Sequence, residues 1–270
     1  MRTNIFQIIL LIFLCCISCE NVVLFEESGD GILLKQVIIE GEVYYEYTYS
    51  NANLILEEKN KFHYAKHNYN SLNQLIQSDH YWDERIVSSS SYVLEEAMKR
   101  TEWVSPENTE KSSYFSFEYN NSGRLEKRYI NRPKSGYESF DIFTFSKSGR
   151  IERRTSFHEN KASVYDDYFY DSRGNLIKQQ RYFVSENGIP NLQTTTEYEF
   201  DNKYNPYLSF RGLMIPGQNA NPNNITKETY TLHFELDDFV EPIQVTGYSY
   251  EYNTLGYPLK RSDGFEYVYY

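Results

Sequence analysis

One unit recurs along this chain and leaves few folds open: an aromatic pair at alternate positions, a four-residue polar turn closing in glycine, then an aliphatic residue and a charge. Residues 117–127 (FEYNNSGRLEK), 143–153 (FTFSKSGRIER), 168–178 (YFYDSRGNLIK) and 250–260 (YEYNTLGYPLK) carry it most clearly. Residues 47–58, 67–77 and 198–208 carry weaker copies. With the second aromatic as anchor, the copies fall at Tyr49, Tyr69, Tyr119, Phe145, Tyr170, Phe200 and Tyr252, mostly one or two units of about 25 residues apart. Aromatics at period two followed by N-N-S-G or D-S-R-G read as a strand entering a hairpin turn. Gly123, Gly149, Gly174 and Gly256 are the structural turn residues, expected in the left-handed conformation that closes a type I turn with a bulge. Asn73 takes the glycine place in the second copy, as a residue that tolerates positive φ.

Period two also assigns faces. Phe117 with Tyr119, Phe143 with Phe145, and Tyr168 with Tyr170 share one side of a sheet, while Glu118 and Thr144 face the other. Each buried ring contributes of order 150–250 Å², so the aromatic side is expected to be the core. Seven such turns predict an all-β fold: an up-and-down antiparallel meander of about 10–14 strands. Curling such a sheet into a barrel-like form protects its edges. Phe265, Tyr267 and Tyr269 read as a last strand, and residues 92–100 (VLEEAMKR from Val93) as one short helix. An outer-membrane barrel fits poorly, because strict alternation puts Leu125 on one side with Lys127 and Glu126 on the other with Arg128. A basic residue facing mid-bilayer lipid costs ~2–4 kcal/mol.

Composition agrees with a folded chain of unusual core. Tyrosine numbers 27 and phenylalanine 17, yet hydrophobic residues of all kinds make only 40%. Aromatics are what disordered chains lack. With 38 acidic against 27 basic residues and a formal charge of -11, the chain repels phosphates, and no basic segment compensates, so no nucleic acid is expected as a partner.

The N-terminus, MRTNIFQIILLIFLCCISCE, has a basic start, a short apolar run and a small-residue approach to Cys19. That is the layout of a cleaved export signal, too short for the ~20 residues of a membrane helix. All three cysteines lie at 15, 16 and 19. The residues Ile17-Ser18-Cys19 resemble the lipobox of bacterial lipoproteins, with Cys16 standing where an aliphatic residue is usual. The resemblance implies a signal peptide over 1–18, lipidation at Cys19, a single domain over 19–270 and the membrane as partner through the N-terminal lipid. It makes an outer-membrane lipoprotein of the cell envelope the expected product, and Glu20 and Asn21 do not choose between its two faces.

The units YDSRGNLIK and YNTLGYPLK are similar to the YD repeats of Rhs-type surface and toxin-encapsulating proteins, although only Tyr170-Asp171 keeps the literal dipeptide. With FDNKYNPY (200–207) and NPNNITK (221–227), the chain more closely resembles uncharacterised Bacteroidetes lipoproteins of porin-like β fold. That resemblance implies architecture and no activity.

Motifs for chemistry are sparse. His63 and His67 sit four apart in a strand-like stretch, which separates them by about 13 Å and argues against a shared metal. The acid pairs Asp166/Asp167 and Asp237/Asp238 lack a calcium-loop frame and read as solvated strand ends. Neither a nucleophile elbow, a phosphate loop nor a zinc signature is present, so no catalytic residue, metal or cofactor is assigned. The expected role is non-catalytic binding or structure. Glycan binding is the first alternative, with Trp82, Trp103 and Tyr114 as candidate rings for sugar faces; a glycoside hydrolase with two paired acids is the second. A proline-rich loop over 205–224 centres on Leu213, Met214 and Ile215, which are expected to plug a barrel end or, less favoured, to meet a protein partner. The sequence sets no oligomeric state.

Gly174→Val is expected to lower the melting temperature of the domain followed by circular dichroism, because a β-branched side chain at positive φ is strained. An unchanged melt would overturn the turn assignment.

Overall fold

The computed structural model describes residues 32–83, 102–213, 221–234 and 242–270. Its strands are β1 (Leu34–Ile39), β2 (Glu42–Tyr49), β3 (Ile55–Lys59), β4 (His63–Tyr69), β5 (Leu75–Trp82), β6 (Ser113–Tyr119), β7 (Leu125–Arg132), β8 (Tyr137–Phe145) and β9 (Ile151–His158). They continue as β10 (Lys161–Tyr170), β11 (Leu176–Val184), β12 (Pro190–Tyr204), β13 (Asn223–Leu232), β14 (Ile243–Gly247), β15 (Tyr250–Tyr252), β16 (Pro258–Arg261) and β17 (Phe265–Tyr269). All belong to one antiparallel sheet. Apart from β14 and β15, each strand pairs with its chain neighbours, and β17 returns to pair with β1. The order does not close into a barrel: it ends at β14 and β15, which only Tyr248 and Ser249 separate. This run of chain pairs with β13 along its first half and β16 along its second.

The all-β up-and-down meander is thus the fold, with 17 strands. The seven repeat units flank two strands each; β1, β14 and β17 supply the excess over the expected range. Helix content among the described residues is one 3-10 helix, Leu208–Leu213. The helix expected at 92–100 lies outside the described residues.

Local chemistry explains the turns. Gly123, Gly149, Gly174 and Gly256 have φ of +76°, +80°, +96° and +85°, and Asn73 stands at +60°. In the turn after β6, Gly123 N donates to Asn120 O at 2.9 Å and Asn120 N to Arg124 O at 2.9 Å. The Asn120 side chain accepts from the Ser122 and Arg124 amides. Asn70 and Asn253 do the same in their turns. A short side-chain acceptor at the first turn position satisfies amides that the strands cannot.

A bulge sits where each turn joins the ladder, for example between Glu118 and Tyr119. It shifts phase by one, and this corrects the strict alternation drawn from sequence. Leu125 shares the inner face with Arg128, both buried, while Lys127 lies outside over the Phe140 ring at 3.9 Å. The deepest inner positions are the aliphatic six residues after each anchor (Ile55, Leu75, Leu125, Ile151, Leu176) and the residue two before it (Tyr47, His67, Phe117, Phe143, Tyr168). The anchor rings themselves are half-buried and pack against these residues.

The anchors have a second task. Between units the ladder stops two residues past the aliphatic, at Glu57↔Lys66, Gln77↔Ser116, Lys127↔Ile142 and Arg153↔Asp167. Beyond that point, the next unit's anchor hydroxyl donates to the aliphatic residue's carbonyl: Tyr69 to Ile55 and Tyr119 to Leu75, both 2.8 Å, and Tyr170 to Ile151, 2.9 Å. Tyr49 to Leu34 (2.8 Å) and Tyr269 to Pro258 (2.6 Å) repeat the bond at the β1 and β17 ends. A buried carbonyl without a ladder partner is thereby satisfied.

The segment 205–213 packs inside the curled sheet. Phe210 and Leu208 of the 3-10 helix are buried, and Leu213 packs against both hydrophobic clusters of the core. Leu213 is thus partly buried and packs inward with Leu208 and Phe210. Met214 and Ile215 lie outside the described residues.

At Phe145 the register places a ring with no hydroxyl opposite the Leu125 carbonyl. Phe145→Tyr is expected to stabilise the fold by about 0.5–1 kcal/mol, the net worth of one such bond, and Tyr170→Phe to lose a similar amount. Urea midpoints of the two variants check both signs.

Candidate functional site

One row inward from the buried aliphatics, the inner face becomes polar. Glu58, Ser78, Arg128, Arg154 and Gln179 each lie three residues after the aliphatic, opposite Tyr47, His67, Phe117, Phe143 and Tyr168. The basic members meet acids on neighbouring strands. Arg128 Nε donates to Asp141 at 2.9 Å, and Ser156 Oγ to the same carboxylate at 2.6 Å. Asp166 accepts from Arg154 Nε at 3.1 Å, Arg181 Nε at 2.8 Å and Gln179 at 3.0 Å. Asp141 and Asp166 are 1% and 0% exposed. Burial alone would raise the Asp166 carboxyl, but Arg154 and Arg181 outweigh it and hold it below the usual range. Burial lowers the Arg128 guanidinium, against the pull of Asp141. This corrects the reading of Asp166 and Asp167 as solvated strand ends: Asp166 is sealed inside, and Asp167 faces out, gripped by Arg153. Asp237 and Asp238 lie outside the described residues.

The acidic member, Glu58, heads a histidine cluster. Its carboxylate lies 3.0 Å from His67 Nε2, and His67 Nδ1 lies 2.8 Å from Ser78 Oγ. Burial raises Glu58, but the hydrogen bond and charge of His67 bring it below the usual value. Beside it, His63 Nε2 and His80 Nδ1 are 3.1 Å apart. The His63 ring stacks on Trp82 with centroids 4.0 Å apart, and His80 tilts against Phe115 at 4.6 Å. His63 Nδ1 and His80 Nε2 are buried without a hydrogen-bond partner among the described residues. When two neutral rings share one bond, the proton of the accepting ring sits on its outer nitrogen, so one N–H stays unsatisfied whichever ring donates. Protonation would strand a second. Burial, followed by Glu58 in opposition and by His67, leaves His63 lowered to about 4; burial with His63 and His67 lowers His80 to about 3. No group of three or more His, Cys, Asp or Glu placed to hold a metal exists among the described residues.

The sugar-platform candidates are not brought together. Trp82 is half-buried on the inner face against His63. Trp103 is half-buried in the segment before β6, its carbonyl bound by Asn108. Tyr114 faces outward, with Lys111 5.7 Å from its ring centroid and paired to Asp79. Sequence reasoning missed the outer-face stacks. Tyr165 lies on Tyr182 at 4.6 Å and Phe140 on Phe157 at 4.9 Å, with Arg153 and Lys127 over the rings. The signal was there as aromatics one position out of the repeat phase. Ring faces used this way pair with each other and with cations.

A recess lies at the fork where β15 leaves β13, lined by Asn205, Tyr207, Asn224, Tyr248, Tyr250 and Arg261 among others. Its free volume of about 30 Å³ suits a water, against ~300 Å³ or more for a small-molecule pocket. Arg261 is clamped between the Tyr248 and Phe265 rings at 4.8 and 4.3 Å. Burial opposes its charge, but Asp263 at 2.7 Å keeps it above its ordinary value.

No protein-family profile and no curated protein matches the chain. Among solved structures, a porin-like protein from Bacteroides vulgatus is similar over 88% of this chain and 96% of its own, at 12% identity and a TM-score of 0.51. A porin-like protein from Bacteroides uniformis aligns over 87% of this chain and 93% of its own, at 11% identity and a TM-score of 0.39. The Photorhabdus luminescens Tc holotoxin pore aligns over 76% of this chain at 14% identity and a TM-score of 0.30, and the chain spans only 10% of that chain's length. The first likeness is one of fold alone.

The histidine pair predicts an acid-sensitive fold. Unfolded histidines titrate near 6.5, so between that value and 4 the unfolded chain binds protons that the folded chain refuses, and stability falls as pH falls. One such histidine costs about 3 kcal/mol by pH 4. Urea midpoints measured from pH 7 to 4 are expected to fall steeply, and less so in His80→Gln.

Proposed function

We propose that this chain is a lipid-anchored protein of the bacterial cell envelope whose plugged, tyrosine-rich β scaffold serves a non-catalytic binding or structural role. The observation that carries the reading is the use of the inner ionisable groups. Arg128, Asp141, Arg154, Asp166, Arg181, Glu58 and His67 are spent on one another, around a core into which Phe210 and Leu213 are packed. Reactive carboxylates or histidines need an open face toward substrate, and Asp141, Asp166 and His67 are buried against their partners. The porin-like likeness supports the architecture of such a protein, and the lipobox around Cys19 supports its anchoring, on the outer membrane. The degenerate YD-like units then act as a scaffold repeat.

Expressed in a Gram-negative host, the full chain is expected in the membrane fraction with a lipid-sized mass increment on its N-terminal peptide. Cys19→Ser is expected in the soluble fraction without it. A Cys19→Ser chain that still sediments with membranes would remove the anchor from the proposal.

A further inference from the structure

Among the described residues, β14 leaves a stretch of sheet edge uncovered. Tyr248 N donates to Thr226 O and Leu232 N to Pro242 O, both at 2.8 Å, so the even-numbered residues from 242 to 248 turn their backbone groups toward β13. Alternation in an antiparallel pair then points the N–H and C=O of Ile243, Val245 and Gly247 the other way. The next outward residue is taken, since Ser262 N donates to Ser249 O at 2.9 Å. Among the described residues no hydrogen bond reaches the outward groups of 243, 245 and 247. All five residues of β14 are exposed, with Val245 at 61% and Ile243 at 57%.

Natural sheets blunt such edges with charge, bulges or proline. Residues 242–249 carry no charged side chain, in a chain of formal charge -11. Pro242 belongs to the set turned toward β13 and does not block the outer edge. Two acidic copies of the chain repel each other over most of their surface, and this run is free of that repulsion. The outward set is also symmetric about Val245. In the antiparallel register that overlaps all five residues, Val245 meets Val245 of the second copy and Ile243 meets Gly247, which has no side chain to crowd it. Every outward N–H and C=O then gains a partner, in an isologous contact.

We propose that β14 is a self-pairing edge: two copies of the chain associate by antiparallel β14–β14 addition about a twofold axis at Val245. A five-residue pairing buries less than the ~1,000 Å² of a standard interface, so the association is weak and is best trapped chemically. In the proposed register the two 245 positions form a hydrogen-bonded pair with Cα atoms about 5.5 Å apart, within disulfide reach. The two 243 positions are four residues out of register, about 13 Å apart. The full chain carrying Val245→Cys is therefore expected to form disulfide dimers several-fold faster under mild oxidation than Ile243→Cys or the parent chain, whose native cysteines set the background. An equimolar mixture of Ile243→Cys and Gly247→Cys is expected to cross-link to each other; a Cβ at 247 meets nothing nearer than Thr226 O at 4.0 Å. Val245→Lys, followed by sedimentation at high concentration, is expected to lose the dimer while keeping the parent's circular dichroism. Val245→Cys cross-linking no faster than Ile243→Cys, or self-association unchanged in Val245→Lys, would overturn the proposal. Neither readout depends on lipidation at Cys19.

Discussion

The bond from a tyrosine hydroxyl to the carbonyl of the preceding unit's buried aliphatic residue is the contact around which this sheet is arranged. Hairpins in a curled sheet must part at one end to admit side chains between them, and parting leaves main-chain carbonyls without ladder partners. Water would satisfy them at the expense of a dry core. The anchor tyrosine resolves the conflict with one side chain: its ring fills the gap beside the aliphatic residue, and its hydroxyl, at 2.6–2.9 Å, replaces the missing ladder bond. Phenylalanine fills the gap without the bond, which is the arrangement at Phe145. The abundance of tyrosine over leucine thus follows from the geometry of splayed hairpins as much as from hydrophobicity.

The polar layer rests on this frame. Once the bulge beside each anchor fixes the phase, the position three residues past the aliphatic must point inward, and the chain places charges there only where a neighbouring strand returns a counter-charge or hydrogen bond. Asp166 shows the rule most fully, held by two arginines and Gln179. The histidine pair departs from it, with ring nitrogens left unpaired and therefore neutral at ordinary pH.

Several of these features were legible in the residues. Gly123, Gly149, Gly174 and Gly256 declare the turns, since few side chains tolerate their φ, and the alternating rings before them declare strands. The bulge was not legible, because it depends on how a type I turn rejoins a twisted ladder; missing it grouped Leu125 with Lys127, whereas in the structure Leu125 shares its face with Arg128. Asp166 and Asp167 looked like one acidic patch and face opposite sides of the sheet. Trp82, Trp103 and Tyr114 stood out by residue type, but nothing local said that Trp82 turns inward while Tyr114 turns outward. The outer stacks of Tyr165 on Tyr182 and Phe140 on Phe157 need cross-strand register, which pairs residues far apart in sequence.

The sequence by itself determined the element type, the turn chemistry and the meander order, because each is a property of a dozen neighbouring residues. The tertiary structure alone decided the phase of each returning strand after its bulge, and that residues 242–252 serve two different neighbours and leave Ile243, Val245 and Gly247 at an open edge. Those outcomes follow from curling a long sheet until β17 meets β1, a constraint that acts between the two ends of the chain and is written in no single segment of it.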